Sequence, residues 1–159
     1  MTTTRQAIAL AVSVGICLGA AGMGSVLTAP SLHPWYATLR KPTWTPPNWL
    51  FGPVWTALYL GMAVAAWLVW RQAGFSHARL PLTLFAVQLA LNVAWSGIFF
   101  GLRSPGVAFL EVVLLWLFIL STAIAFWPLS RTASWLLVPY LIWVTFASAL
   151  NAAIWRMNA

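Results

Sequence analysis

Five stretches of about twenty apolar residues organise this chain, at residues 6–27, 49–70, 80–102, 106–127 and 135–155. Four of them contain no charged side chain, and the stretch at 106–127 contains only Glu111. At 1.5 Å rise per residue, each is long enough as a helix to cross a hydrocarbon layer of roughly 30 Å. Only 6% of the side chains are charged, against about 25% in an ordinary soluble domain. A backbone facing hydrocarbon must satisfy its own polar groups, which leaves helices or a closed barrel. The runs lack the strict apolar–polar alternation of barrel strands. The expected fold is an all-α membrane protein, one domain over residues 1–159, built as a single bundle of five transmembrane helices.

The net charge of +7 does not indicate nucleic acid. Arg5, Arg40 with Lys41, Arg71, Arg79, Arg103, Arg131 and Arg156 stand singly where apolar runs end, as membrane-flanking anchors do, and form no phosphate-binding stripe. The basic residues divide four and four between the two sides, so the charge rule assigns no orientation. An odd number of spans places the two termini on opposite faces. The first run follows Arg5 like a signal peptide, but it exceeds the usual 7–15-residue apolar core and reads as a retained helix. Cys17 is the one cysteine and reads as a small core residue. Trp67, Trp70, Trp127, Trp135 and Trp155 lie near run ends, the level of an aromatic belt.

Residues 28–48 form the one long connection. They combine five prolines with Trp35, Tyr36 and Trp44, and a long loop rich in aromatics is more often functional than idle. In the third run, Gln88, Asn92, Trp95 and Phe99 fall within a sector of roughly 60° at 100° per residue. Amides are costly in lipid, so this face should look into the bundle, either to meet a ligand or to bind helices together. The opposite sector carries Ala86, Ala90, Ala94, Gly97 and Gly101, a narrow face suited to close helix contact within the chain or in a homodimer. The second run presents Phe51, Trp55, Tyr59 and Met62 on one side, and the fifth presents Pro139, Trp143, Ala147 and Leu150. Such stripes are commonly plain core. Twelve tryptophans in 159 residues, with Trp55, Trp95 and Trp143 deep and beside polar positions, favour a cavity that stacks on a large flat ligand.

Glu111 is the sole acidic residue, about a turn and a half into the fourth helix. A lone carboxylate at that depth should be protonated, paired or in a wet cavity, and is a candidate functional acid. His33 and His77 lie in connections. No hydrolytic triad, metal-ligand cluster or cofactor fingerprint is present, so neither cofactor nor metal is expected.

The segment WYATLRKPTWTPPNWLFGPVWTALYLGM, residues 35–62, with QLALNVAWSGIFFG at 88–101 and VPYLIWVTFASALN at 138–151, closely resembles the tryptophan-rich sensory protein family. That family (TspO/MBR) includes the mitochondrial translocator protein, or peripheral benzodiazepine receptor. The resemblance covers nearly the whole chain and implies five transmembrane helices, frequent dimers, and a pocket closed from one side by the loop at 28–48. It implies tetrapyrrole ligands, sterols in some members, and isoquinoline-carboxamide or benzodiazepine drugs. The positions similar to the family's pocket are Ser25, Trp44, Phe51, Gly52, Trp55, Asn92, Trp95, Phe99, Trp143, Ala147 and Leu150. Val107 stands where the animal protein has a drug-contacting tryptophan, and Ala152 and Ala153 stand where it has tyrosines of a proposed sterol motif.

The leading expectation is therefore a tetrapyrrole-binding membrane protein acting as sensor, carrier or regulator. Trp55, Trp95 and Trp143 would stack on the macrocycle, Asn92 and Tyr59 would orient it, and Arg40 and Lys41 would meet its carboxylates at the mouth. The alternatives are an enzyme that degrades porphyrins in light with indoles as electron donors, and a transporter of sterols, lipids or metabolites. The transporter reading lacks the intramembrane charges usual in coupled carriers.

Overall fold

The structure, a computed structural model, describes residues 3–159. It is all-helical, with no strand among the described residues. Helix α1 spans Thr3–Leu32, α2 Asn48–His77, α3 Arg79–Ser96, α4 Pro105–Phe126 and α5 Arg131–Asn158. Helix α3 continues into a π-helical turn at Gly97–Gly101. Each of the five is long and apolar enough to cross a membrane, and the protein is a multi-pass integral membrane protein.

Helix ends differ from those expected chiefly in three places, one being α5, which begins at Arg131, four residues before the expected start at 135. Helix α1 runs on to Leu32, taking in five residues assigned above to the loop. Pro30 lies in its last turn, where a missing N–H removes a single intrahelical bond. The connection to α2 is correspondingly short, holding only a 3₁₀ turn at Tyr36–Thr38. The polar link expected at 71–79 is helical to His77, and the chain breaks direction within it at Gly74, whose φ is 69° and ψ 174°. That conformation is open essentially to glycine alone.

The links that remain are tight. Ser130 caps α5, its hydroxyl accepting from the Ala133 N–H at 3.3 Å, and Pro105 opens α4 where no N–H is needed. Helix α4 packs on α3 and α5, while α1 packs on α2, α3 and the π turn. At one point α4 and α5 approach so closely that a Cβ on Gly106 would sit 2.8 Å from Trp155 Nε1.

The interior divides along the bundle axis. One half is solid, with Met62, Val69, Leu115, Ile119, Leu137 and Val144 almost fully buried and Phe85 stacked on Phe126 at 6.1 Å. The other half has a smaller cluster of Tyr36, Phe99, Phe100, Ala108, Leu150 and Ile154, set beneath the α1–α2 loop. Between the clusters lies a cavity.

Replacing Gly74 by alanine should destabilise the protein by about 1–3 kcal/mol, the strain of a side chain in that backbone region. Thermal unfolding of detergent-purified protein measures this. An unchanged transition would show that the break is not held at this angle.

Candidate ligand cavity

Four of the five helices build the cavity, which has a volume of about 450 Å³, within the 300–1,000 Å³ typical of small-molecule sites. Helix α1 contributes Gly24, Ser25 and Thr28; α2 contributes Phe51, Gly52, Trp55 and Tyr59; α3 and its π turn contribute Asn92, Trp95, Phe99 and Phe100; α5 contributes Trp143, Ala147, Leu150 and Asn151. None of the described residues of α4 reaches it. That helix buttresses α3 and α5 from behind.

A polar bridge sets the floor. The Tyr59 hydroxyl donates to Asn92 Oδ1 at 3.2 Å, and Asn92 Nδ2 donates to the Tyr140 hydroxyl at 2.6 Å. One side-chain amide thus joins α2, α3 and α5, with Asn92 and Tyr140 buried. Trp55 lies over both phenols, its ring 5.8 Å from Tyr59 and 6.1 Å from Tyr140.

The aromatic walls are braced in the same manner. Trp95 stacks on Phe99 at 5.0 Å and donates its indole N–H to Asn151 Oδ1 at 3.0 Å. Asn151 in turn donates to the Pro105 carbonyl at 2.7 Å, tying α5 to the start of α4. Trp143 meets Phe51 edge-on at 5.8 Å and Phe146 at 5.5 Å. Its indole nitrogen is buried and has no protein partner.

The loop closes the end. Tyr36 is buried against Phe99 and Phe100, and burial pushes its phenol above the ordinary range, so its ring stays neutral. Lys41 donates to the Tyr36 carbonyl and lies over the same ring, 4.4 Å from its centroid. The Arg40 peptide is clasped by Asn158: its N–H donates to Oδ1 at 3.0 Å and its carbonyl accepts from Nδ2 at 2.8 Å. Lys41, expected to greet a ligand carboxylate, is instead committed to the loop itself.

Of the residues singled out in the sequence, Ser25, Phe51, Gly52, Trp55, Tyr59, Asn92, Trp95, Phe99, Trp143, Ala147 and Leu150 surround this one cavity. Trp44 and Gln88 do not. Trp44 is half-exposed on the loop with its ring 5.7 Å from Phe146. Gln88 lies deeper, in the solid half, with Nε2 against the Met62 sulfur at 3.8 Å and Oε1 without a partner. Pro139 faces outward. Glu111 is on α4, away from the cavity, and both its carboxylate oxygens are buried without a hydrogen-bond partner. Among the described residues Glu111 therefore has no hydrogen-bond partner, and it does not line this cavity. Val107 is likewise on α4 and faces outward.

The sequence pattern marks Tyr36 as a loop aromatic but gives no sign that Phe100 or Asn151 lines the cavity. A 3.6-residue period turns Phe100 about 100° from Phe99, but the wider π turn buries both. Asn151 is a polar residue within the fifth run, one step beyond Leu150.

The sequence matches the TspO/MBR family over residues 11–156. The chain belongs to that family. It is 44% identical to a tryptophan-rich protein TspO of Chlorobaculum tepidum, over 97% of this chain and 98% of the relative. It is 46% identical to the translocator protein of Sus scrofa, over 80% of this chain and 76% of the relative. It is 43% identical to protein CrtK of Rhodobacter capsulatus, over 89% and 86% respectively. Membership agrees with the resemblance carried by residues 35–62, 88–101 and 138–151.

Asn151→Ala should lower stability by about 1–3 kcal/mol, because it frees the Trp95 N–H and the Pro105 carbonyl together. It should also raise the rotational freedom of Trp95, read as lower tryptophan fluorescence anisotropy. Unchanged stability and anisotropy would mean that Asn151 does not brace the wall.

Proposed function

We propose that this member of the TspO/MBR family is a membrane-embedded binding protein for tetrapyrroles, acting as sensor, carrier or regulator of their levels. The observation that carries this reading is the geometry of three indoles, Trp55, Trp95 and Trp143, around one apolar cavity capped by a loop whose Tyr36 is buried. Indoles are large, rigid and weakly polar, and offer broad faces to a conjugated ring system. The unpartnered Trp143 N–H supplies one donor to a ring or side-chain acceptor. Asn92 and Tyr59 set the depth to which a macrocycle descends, being tied to each other and to Tyr140.

A second reading, light-dependent degradation of the bound porphyrin, draws on one observation. Trp55 contacts two phenols at 5.8 and 6.1 Å, which places oxidisable rings in series beneath the ligand. The same titration separates the two readings.

We also propose that the protein pairs through the outer face of α3. Ala86, Ala90, Ala94 and Gly101 are exposed there, leaving a smooth lane at which a second backbone can approach closely. Gly97 is turned toward the Leu27 side chain within the same chain, so the lane is shorter than the sequence pattern suggested.

Titration with protoporphyrin IX in darkness should quench tryptophan fluorescence saturably. Trp143→Phe should weaken binding about tenfold, the worth of one hydrogen bond and part of a stacking face. Unchanged affinity in that variant would remove Trp143 from the site, and absence of saturation would remove tetrapyrroles. Light-dependent loss of the porphyrin bands, requiring the wild-type indoles, would favour the enzyme. Ala90→Phe should shift the protein from dimer toward monomer in mass measurements of the detergent-solubilised form. A retained dimer would place the interface elsewhere.

A further inference from the structure

The two boundaries of the cavity are built differently. The roof, residues 33–47, is fastened at several points. Asn158 at the end of α5 grips both the N–H and the carbonyl of Arg40. Tyr36 is buried beneath it and held by Lys41, and Trp35 meets Phe99 edge-on at 5.7 Å. A molecule entering from the water on that side must undo these contacts together.

The side wall between α1 and α2 is fastened only at its far end. There Ser13 Oγ donates to the Ala63 carbonyl at 2.7 Å and the Trp67 indole donates to the Gln6 carbonyl at 3.0 Å. Beside the cavity the pattern changes. The hydroxyls of Ser25, Thr28 and Thr56 each bond back to the carbonyl four residues earlier on their own helix, and so lace nothing across. Ser25 and Ala29 of α1 and Gly52 and Thr56 of α2 are exposed and line the cavity as well. Residues with both properties lie on the rim of an opening. The rim is made of small side chains whose polar groups are already satisfied, so lipid or an apolar ring can slide past without stripping a hydrogen bond.

We infer that the cavity is loaded sideways, through the rim between α1 and α2, by an apolar, flat molecule already dissolved in the lipid, and that the loop above is a latched roof rather than the door. This rests on the reading of the cavity as a ligand site, but not on the identity of the ligand. The occupant it selects is one that partitions into membranes, and its polar substituents must be few enough to cross an apolar rim.

The route is testable without any ligand. In a Cys17→Ala background, Ala147→Cys places a single thiol in the cavity wall of vesicle-reconstituted protein. Its labelling is followed with N-(1-pyrenyl)maleimide, which partitions into lipid, and with a sulfonated maleimide, which remains in water. The pyrenyl reagent should label the thiol, and adding Ala29→Phe with Thr56→Trp at the rim should slow it by about tenfold or more. Asn158→Ala, which unlatches the roof, should change either rate by no more than about twofold. If the double rim variant does not fold, Ala29→Phe alone, at an exposed position, should slow labelling in the same sense. An unchanged pyrenyl rate in a folded rim variant, or fast entry of the sulfonated reagent once Asn158 is removed, would overturn the lateral route and make the roof the door. Because no ligand is used, failure of protoporphyrin to bind would leave this result standing and count only against the tetrapyrrole reading.

Discussion

Asn92 holds a position on which the rest of the cavity depends. Its amide accepts from Tyr59 on α2 and donates to Tyr140 on α5, so three helices are pinned at one depth by one side chain. Interhelical polar bonds in membranes average only about 0.6 kcal/mol, which is too little to hold a bundle together. Their value here is geometric. Below the bridge the helices converge on Met62, Val69, Leu115, Ile119 and Leu137 and close the interior completely. Above it lies the cavity. An apolar residue in place of Asn92 would leave two phenols buried in a medium that offers no replacement partner.

The bracing above the bridge uses the same device. Asn151 joins Trp95 to Pro105, and Asn158 joins Arg40 to the end of α5. Asn92 and Asn151 each bind one partner through the carbonyl oxygen and another through the amino group, whereas Asn158 uses both on the Arg40 peptide. Since all three bridges are made by carboxamides, they carry no charge into the bilayer. With only one acidic residue in the chain, salt bridges are nearly excluded as fasteners, and the carboxamides take their place.

How far the sequence could be read follows from these same facts. The five spans are written in run length and in the position of basic residues, two signals that hydrocarbon enforces strictly. The floor was half legible: Asn92, Trp95 and Phe99 share a helical sector, but their partners on α5 depend on how the helices pack. Periodicity failed where the helix itself changes period. Gln88 belongs to the same sector as Asn92 at 3.6 residues per turn, yet it sits one turn deeper, where the helices have already closed. Phe100 was passed over because the π turn that buries it has no reliable sequence mark. Nor does any periodicity reveal that α4 stands outside the cavity, since its composition is the most apolar of the five. Glu111, the residue that charge alone would single out, is thereby removed from the cavity walls.

The polar inventory of the cavity also bears on how choosy it can be. Trp95 has its N–H satisfied by Asn151, and Asn92, Tyr59 and Tyr140 are bound to one another. The Trp143 N–H is without a partner. A site that hydrogen-bonds its ligand at several points rejects analogues strongly, because their absence strands buried groups. A mainly apolar wall discriminates by only about 1–3 kcal/mol per methylene. Selection here therefore rests on shape, on the span between the Phe51–Trp143 wall and the Trp95–Phe99 stack. Such a cavity should accept a class of flat, membrane-soluble ring systems rather than a single compound, and differences in ligand preference within the family should trace to side-chain volume at positions such as Gly52, Ala147 and Leu150 more than to hydrogen-bonding groups.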